Sequence, residues 1–411
     1  LVLANHFRRD AGLPFPEQVP WVCWIQVAMA HQFKAREFTD LDFVAGHLHT
    51  ELRAQDGFPH DRAMPFPLIA SERKFHPAPI DAARLERFAC EIAYVSHQSE
   101  TPGAFHDRCI AEEPKPEVRR LLDTLRPRVE AEAADPLGES LYNRLRALAE
   151  AAVEQTADGT DALAGYLFRH YALPLADRVV RHQTIGWAAT ICRRHDWRLR
   201  LYGRGWDTHP EFAEFACGEV SHGEDLRVCY QAAAMHLHSS VNTLVHLRVR
   251  ECAMSGGLPV GRLTTDAVHE SVGFAEREAV LHGTPCGTDK TTGAVSYRLS
   301  ENGPLAAVRP LREWLGLDTP EDYHIAARKI EAFQKPDHPL SGGIHAAWLF
   351  GDLREMTVRS EDDLERIVER AVTDAAWRGA QSAGIAERAR ERCSTTAFAE
   401  RVLELVRRSL S

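Results

Sequence analysis

The chain has 411 residues, of which 44% are hydrophobic and 26% are charged, a composition typical of a globular protein with room for two domains. Its formal net charge of −10 argues against a general nucleic-acid-binding protein, because such proteins usually carry a basic surplus or stripe. The nine cysteines are scattered without a Cys-x-x-Cys pair, which favours reduced thiols over a disulfide framework or a zinc site, and no apolar run is long enough to predict a membrane span.

The first part of the chain predicts short buried strands between loops. Residues 21–25 (WVCWI) and 41–46 (LDFVAG) are apolar runs of strand length. Four prolines between residues 65 and 79 are typical of a linker. The chain begins at Leu1 rather than at Met, and we expect that the start of this domain precedes it.

A helix from Ala82 and a strand at 92–96 precede a long helical stretch. Residues 116–171 are rich in Ala, Glu, Arg and Leu. The leucines that share one helical face are Leu141, Leu145 and Leu148. No heptad persists and Pro136 interrupts the pattern, which argues against a coiled coil. We therefore predict a helical insertion at about residues 112–180.

The most regular alternation of strands and helices lies in residues 181–262. The predicted strands are 198–202, 235–239 and 258–261, and the predicted helices are 184–194, 224–234 and 247–255. Such alternation indicates a doubly wound parallel sheet. Ligands of these sheets bind beyond the carboxyl ends of the strands, which is where we expect the site.

Residues 263–355 predict few elements, and two amphipathic helices end the chain. Ser360 followed by Asp363 resembles a capping box at the start of the first helix. The apolar faces consist of Leu364, Ile367, Val368, Ala371 and Val372 in the first helix and Phe398, Val402, Leu405 and Val406 in the second.

Residues 282–293 (HGTPCGTDKTTG) contain the glycines and the lysine of a phosphate-binding loop. Such a loop needs Gly directly before Lys, so that backbone N–H groups can surround the phosphates. Here Asp289 precedes Lys290, and its carboxylate would repel a phosphate. We predict a surface turn instead.

The 21 histidines include two pairs, His47/His49 and His236/His238, whose members stand two residues apart. On a strand this spacing places both members on one face. Neither pair has a cysteine or a carboxylate at the spacing of a metal site. The sequence therefore predicts no metal and no cofactor.

The motif Gly203-Arg204-Gly205-Trp206 follows the predicted strand at 198–202. Its glycines allow positive φ angles and a close backbone approach, and the arginine is suited to a phosphate or to the face of a base. The alternative is a tight turn with an exposed arginine.

The helix at 247–255 begins after a strand-to-helix loop, so its first N–H groups favour an anion. Arg248 and Glu251 are three residues apart and share one face of this helix. A sugar nucleotide needs both groups, a cation for its diphosphate and a carboxylate for its ribose hydroxyls. Two interpretations stay open on spacing alone: a ligand pocket, and an exposed Arg–Glu pair.

Residues 199–260 resemble the CgeB-type (spore-protein-like) glycosyltransferases of the GT-B superfamily. Those proteins show a strand followed by Gly-x-Gly-Trp, a helix with a Leu and a Tyr, an Asn in the next loop, and an Arg-x-x-Glu motif followed by Ala and Gly-Gly. The matching residues are Gly203, Arg204, Gly205, Trp206, Asp225, Leu226, Tyr230, Asn242, Arg248, Glu251, Ala253, Gly256 and Gly257. Residues 19–26 and 91–99 resemble strands of the two family domains. The resemblance covers most of 14–262 outside the helical insertion, and it resumes at 357–406.

The resemblance implies an α/β fold of the GT-B type, with two Rossmann-like doubly wound domains facing across a cleft. Residues 1–85 would form the C-terminal part of a truncated, acceptor-side N-terminal domain. Residues 86–385 would form the nucleotide-sugar-binding domain, including the helical insertion. Residues 386–411 would form a C-terminal helix.

The resemblance also implies a donor site in which Arg248 faces the diphosphate and Glu251 faces the ribose. The donor-binding residues that it implies are Ser96, His97, Gly203, Arg204, Gly205, Asn242, His246, Arg248, Glu251, Gly256 and Gly257. It assigns no catalytic residue. His31 and His97 are candidates for a catalytic base by residue type alone.

Two positions depart from the family pattern. Val27 stands after Trp-Ile-Gln, where many of these proteins have Asp. Thr243 stands eight residues before Glu251, where retaining enzymes commonly carry Glu. Retention and inversion of the sugar configuration therefore both stay open.

We expect a metal-independent, cytoplasmic glycosyltransferase that uses a nucleotide-sugar donor and a glycan, protein or small-molecule acceptor, and that binds no nucleic acid. One alternative is a non-catalytic GT-B-like binding or surface-layer protein, which the valine at position 27 favours. Another is a different nucleotide-dependent doubly wound enzyme. A dinucleotide oxidoreductase would need Gly-x-Gly-x-x-Gly at the start of a helix, and the sequence has none.

Overall fold

The computed structural model describes residues 2–4, 6, 8, 16–25, 39–46, 60–154, 160–241, 243–298, 310–311, 313, 322–334 and 345–410. The strands, in chain order, are β1 (Val2–Ala4), β2 (Trp21–Ile25), β3 (Asp42–Gly46), β4 (Ala63–Pro65), β5 (Cys90–Val95), β6 (Leu199–Tyr202), β7 (Ala233–His238), β8 (Pro259–Arg262), β9 (Gly287–Thr288), β10 (Val295–Arg298), β11 (Asp322–Ile325) and β12 (Thr357–Val358). The helices are α1 (Ala82–Phe88), α2 (Pro102–Glu112), α3 (Pro116–Ala134), α4 (Leu141–Glu154), α5 (Asp161–Leu167), α6 (Leu173–His195), α7 (Glu224–Ala232), α8 (Leu247–Met254), α9 (Thr265–His282), α10 (Ala327–Phe333), α11 (Ala346–Phe350), α12 (Leu353–Met356), α13 (Glu361–Thr373), α14 (Ala375–Cys393) and α15 (Thr395–Leu410).

The chain divides into two compact units. Unit 1 consists of Leu1–Glu72, Ser271–Leu349 and Arg388–Ser411, and unit 2 consists of Arg73–Glu270 and Phe350–Glu387. The sequence-based division at residues 85 and 385 differs from this one mainly because Ser271–Leu349 belongs to unit 1. The domain boundaries stay a prediction. None of the described helices combines the length and the apolarity that a membrane crossing needs.

Unit 1 contains a parallel sheet in the order β1-β2-β3-β4. The predicted strands at 21–25 and 41–46 are confirmed as β2 and β3, whose residues are almost all buried, as expected of strands covered on both faces. The predicted C-terminal helix is α15, and its apolar face covers this sheet. The residues in this contact include Val22, Phe43, Phe66, Phe398, Val402 and Leu405.

A second, antiparallel sheet of unit 1 has the order β11-β10-β9 and lies in the region that predicted few elements. Its first strand, β9, falls within residues 282–293. The predicted surface turn is confirmed there, because residues 287–293 are exposed. The Asp289 carboxylate accepts hydrogen bonds from the N–H groups of Thr291 and Thr292, so it stabilises the turn.

Unit 2 contains a five-stranded parallel sheet in the order β12-β8-β7-β5-β6. The first strand of the unit in chain order, β5, lies between β6 and β7, so the chain leaves β5 in one direction and later returns to extend the sheet in the other. This is a doubly wound α/β topology, as predicted, with its switch point between β5 and β7. The three strands predicted within 198–261 are confirmed to within two residues at each end.

The helical insertion predicted at about residues 112–180 lies within a set of helices between β5 and β6, α2 to α6, with a core of its own. This set runs from Pro102 to His195 and is therefore longer than predicted at both ends. That core includes Leu122, Leu125, Val129, Leu141, Leu145, Leu148, Leu167 and Leu175. Helix α3 ends two residues before Pro136, which agrees with the interruption expected there. Helix α13 packs on α6 and on the sheet through its buried face, and Ser360 accepts a hydrogen bond from the Asp363 N–H as the capping pattern predicted.

Candidate functional site

A cavity of about 280 Å³ opens at the carboxyl end of the unit 2 sheet. Its walls come from the ends of β5 and β6, the segment before and within α7, and the start of α8. The lining residues are Val95, Ser96, His97, Tyr202, Gly203, Val220, His222, Leu226, Tyr230, His246, Leu247, Arg248 and Glu251. The cavity therefore lies beside the topological switch point, where parallel sheets commonly bind ligands.

Gly203 allows the loops after β5 and β6 to approach each other closely. Its φ is +137°, and a Cβ at this position would lie 2.0 Å from the Ser96 carbonyl oxygen. The same carbonyl accepts a hydrogen bond from Trp206 Nε1 at 2.8 Å, and Trp206 is fully buried. Gly203 and Trp206, the first and last residues of the Gly-x-Gly-Trp motif, thus fix the shape of the cavity wall.

His97 stands at the cavity on the loop after β5, and its Nδ1 accepts a hydrogen bond from the Arg204 backbone N–H at 3.2 Å. The Arg204 side chain itself is exposed and forms an ion pair with Glu219, Nε to Oε1, at 2.8 Å. Neither Arg204 nor Gly205 lines the cavity. The backbone of this motif supports the site, while the Arg204 guanidinium contacts the surface residue Glu219.

His246 is the N-cap residue of α8. Its Nδ1 accepts a hydrogen bond from the Arg248 N–H at 3.2 Å. Burial, with smaller contributions from His238 and from the charges of Arg248 and Arg250, lowers the pKa of His246 to about 3. The imidazole is therefore neutral at pH 7, and because Nδ1 accepts, the ring proton is on Nε2.

Arg248 is a half-buried cation on the cavity wall. Among the residues that the structure describes, no side chain or carbonyl accepts a hydrogen bond from its guanidinium. The other arginine of this turn, Arg250, is buried and donates to the Val245 carbonyl oxygen. Arg248 can therefore meet an anionic ligand without first breaking an ion pair within the described part of the chain.

Glu251 lies one turn along α8 and is only 5% exposed. Its Oε1 lies 3.3 Å from Nε2 of His222, an exposed residue whose ring packs edge-on against Phe75. Burial raises the pKa of Glu251, and the hydrogen bond and charge of His222 and the charge of Arg248 act in the opposite direction. The sequence left open whether Arg248 and Glu251 line a ligand pocket or form an exposed ion pair. Because Glu251 is buried, the second interpretation does not hold for it.

Gly256 and Gly257 lie at the end of α8, outside the cavity lining. A Cβ on Gly257 would lie 2.3 Å from the Tyr230 carbonyl oxygen, and Gly256 has a φ of +87°. Gly257 allows the end of α8 to pack directly on the backbone at Tyr230, and Gly256 lies beside the side chain of Pro77. Asn242, the remaining predicted donor-binding residue, and His31, the other candidate base, lie outside the described residues.

The loop between β7 and α8 is anchored by the helical insertion. Asp177 on α6 accepts a hydrogen bond from the Val241 N–H at 2.9 Å and pairs with Arg181, and both side chains are buried. His238, at the end of β7, donates from Nε2 to the Thr243 carbonyl oxygen at 3.2 Å. These contacts hold the loop from which α8 begins.

Six predicted donor-binding residues line the same cavity: Ser96, His97, Gly203, His246, Arg248 and Glu251. The residues that sequence reasoning missed are chiefly His222 and the hydrophobic wall of Val95, Tyr202, Val220 and Leu226. The cavity thus combines a cation, a buried carboxylate, imidazole groups and an apolar wall, which suits a ligand with phosphate, hydroxyl and ring portions. No family model matches the sequence of this chain, and no curated protein matches it.

Proposed function

We propose that unit 2 binds a nucleotide-activated sugar and that the chain transfers this sugar to an acceptor, as the resemblance to CgeB-type glycosyltransferases implies. The observation that carries the proposal is that Arg248 and Glu251, one turn apart on α8, line one cavity beside the switch point of a parallel sheet. Residues three apart on a helix have Cβ atoms about 5–6 Å apart, so a single ligand can contact both.

The two side chains fit different parts of such a ligand. The Arg248 guanidinium would bind the diphosphate, on which negative charge increases as the bond to the sugar breaks. The Glu251 carboxylate would accept hydrogen bonds from the ribose hydroxyls, and His222 would hold it in place from the solvent side.

The size of the cavity suits the nucleoside diphosphate portion of the donor. A volume of about 280 Å³ is just below the lower limit of about 300 Å³ that is usual for small-molecule pockets. The apolar side chains Val220 and Leu226 offer a surface for the base. In this proposal the sugar extends beyond the cavity, the acceptor binds to the N-terminal domain of a GT-B fold, and no metal is needed because Arg248 supplies the cation.

Calorimetry with the full chain tests the proposal. The ligands are uridine, guanosine, adenosine and thymidine diphosphates, their sugar conjugates and the free nucleosides, all with EDTA present. We expect micromolar to millimolar binding of one diphosphate series. Arg248→Ala should weaken the diphosphate more than the nucleoside, and Glu251→Ala should weaken both alike. The matched control is Arg204→Ala, which removes an exposed arginine outside the cavity lining.

Two results would count against the proposal. If no diphosphate produces heat or a thermal shift, or if manganese is required for binding, the assigned ligand is wrong. If a donor binds but no free sugar is released and no acceptor is glycosylated, the non-catalytic alternative is favoured. Release of sugar from the bound donor supports the enzymatic function.

A further inference from the structure

Two histidines of the cavity share an unusual arrangement of their rings. His97 Nδ1 accepts the Arg204 N–H, and His246 Nδ1 accepts the Arg248 N–H, each at 3.2 Å. A ring nitrogen that accepts a hydrogen bond carries no proton, so the proton of each neutral imidazole is on Nε2. The backbone thus fixes the same tautomer in both rings.

The two histidines belong to segments that leave neighbouring strands of the sheet. His97 follows β5 and His246 begins the helix after β7, and β5 and β7 are adjacent in the sheet. Both residues line the cavity together with Arg248. In His246 the neutral form is strongly favoured, since burial and the neighbouring charges of Arg248 and Arg250 lower its pKa to about 3.

We propose that His97 and His246 are paired hydrogen-bond donors to a diphosphate, with Arg248 as the only full charge among the three. The inference rests on the proposed function and deepens it, because the resemblance implies only that the two histidines bind the donor, and the inference assigns them to its diphosphate. Fixed N–H dipoles aimed at an oxyanion stabilise developing charge without reorganisation, which a leaving diphosphate needs.

The competing explanation is that His246 only caps α8. Asparagine separates the two roles, because its side-chain oxygen replaces Nδ1 as the acceptor and it is among the strongest N-cap residues, while it has no group at the position of Nε2. The matched substitution in the loop after β5 is His97→Asn. Inorganic pyrophosphate is the probe, since it reports on the phosphate site without the nucleoside.

Pyrophosphate and nucleoside diphosphate should each bind at least tenfold more weakly to His246→Asn and to His97→Asn than to the unsubstituted chain. The affinity for the free nucleoside and the melting temperature should be unchanged. Imidazole ¹⁵N spectra of the unsubstituted chain should show an unprotonated Nδ1 in both rings. Unchanged pyrophosphate affinity in the two Asn variants, or a protonated Nδ1, overturns the inference.

The outcomes separate this inference from the proposed function. If pyrophosphate binding depends on both histidines but no nucleotide binds, the anion site stands and the nucleotide-sugar proposal fails. If nucleoside diphosphates bind and the Asn variants bind them equally well, the function stands and the role of the histidines fails. If neither pyrophosphate nor any nucleotide binds, both are wrong.

Discussion

The imidazole of His222 covers the carboxylate of Glu251. The distance from His222 Nε2 to Glu251 Oε1 is 3.3 Å. The His222 side chain is 58% exposed and that of Glu251 is 7% exposed, so a solvated ring contacts a buried acid. Because burial disfavours the charged carboxylate, this position costs folding stability at neutral pH. A buried acid that lowers stability is typical of a residue retained for binding.

Glu251→Gln should therefore stabilise the free protein at high pH while weakening nucleoside binding. The folded-state pKa of Glu251 is raised above its ordinary value of 4.5, so its contribution to stability is present below 4.5 and is lost as the pH rises through the folded pKa. Urea unfolding at pH 8 should give the Gln variant a free energy of unfolding at least equal to that of the unsubstituted chain. Nucleoside affinity should fall tenfold or more, about 1.4 kcal/mol. If the Gln variant is destabilised at pH 8 and binds the nucleoside normally, Glu251 neither lowers the stability of the free protein nor binds the nucleoside.

His222→Ala should weaken nucleoside binding through Glu251 with little effect on folding. The ring is exposed, so its removal should change the free energy of unfolding by no more than about 0.5 kcal/mol. Nucleoside affinity should fall severalfold, since the carboxylate loses the hydrogen bond that orients it. In a Glu251→Gln background the same substitution should have no further effect on affinity, which calorimetry on the double-mutant cycle measures. Additive losses would show that His222 acts independently of Glu251.

The parallel sheet of unit 2 could be predicted because its strands are short apolar runs between helices with clear periodicity. The alternation of Arg198 to Tyr202 and the helix at 247–255 both match observed elements closely. Several site residues could be predicted from the same pattern, since polar residues that follow parallel strands converge at one edge. The three-residue spacing of Arg248 and Glu251 predicts that they share one helix face, and the resemblance added a separate role for each.

The rest of the site depends on contacts between distant residues. His222 belongs to no periodic element, and only its packing on Phe75 and its contact with Glu251 bring it to the cavity. Gly257 looks like part of a ligand loop in the sequence, but its lack of a side chain serves helix packing. The antiparallel sheet of unit 1 was missed because its short strands lie among turn residues.

Gly257→Ala should destabilise the protein by at least about 2 kcal/mol, because the added Cβ would lie 2.3 Å from the Tyr230 carbonyl oxygen and 2.8 Å from Cys252 Sγ. Backbone atoms cannot move aside as a flexible side chain can. The matched control is Gly186→Ala in α6, where a Cβ meets nothing within 4 Å. Alanine is the better helix former, so this control should be stabilised by about 0.5–1 kcal/mol. Urea unfolding measures both, and equal effects would contradict the packing argument.

Asp177→Asn should destabilise the protein by about 3–5 kcal/mol, the usual effect of leaving one member of a buried ion pair without its partner. The side-chain oxygen of Asn can still accept the Val241 N–H, but Arg181, which is 1% exposed, loses the opposite charge. Among the described residues, no acceptor faces its Nε or Nη1. Asp177→Asn combined with Arg181→Met should recover much of the loss. If the double variant is as unstable as the sum of the two single variants, the pairing is not the cause.

The buried His236 and the partly buried Glu270 should change the pH dependence of stability in opposite directions. Burial lowers the pKa of His236 to about 4, and its Nε2 donates to the Cys229 carbonyl oxygen at 3.0 Å in the neutral form. The unfolded chain binds a proton below the ordinary value of 6.5, so the stability from this group is present above pH 6.5 and is lost as the pH falls towards 4. Burial raises the pKa of Glu270 from 4.5 to about 7, so its contribution is lost as the pH rises across that window.

His236→Gln keeps an N–H donor near the Cys229 carbonyl oxygen and removes the titration. Since one proton changes the free energy of unfolding by about 1.4 kcal/mol per pH unit, the fall in stability between pH 6.5 and 4.5 should be smaller in this variant by about 2–3 kcal/mol. Glu270→Gln should have the opposite effect and make the fall larger over the same interval, because the opposing contribution of the carboxyl is gone. Urea unfolding at half-unit steps of pH measures both slopes. If the two variants change the slope in the same direction, the burial of these groups does not govern their protonation.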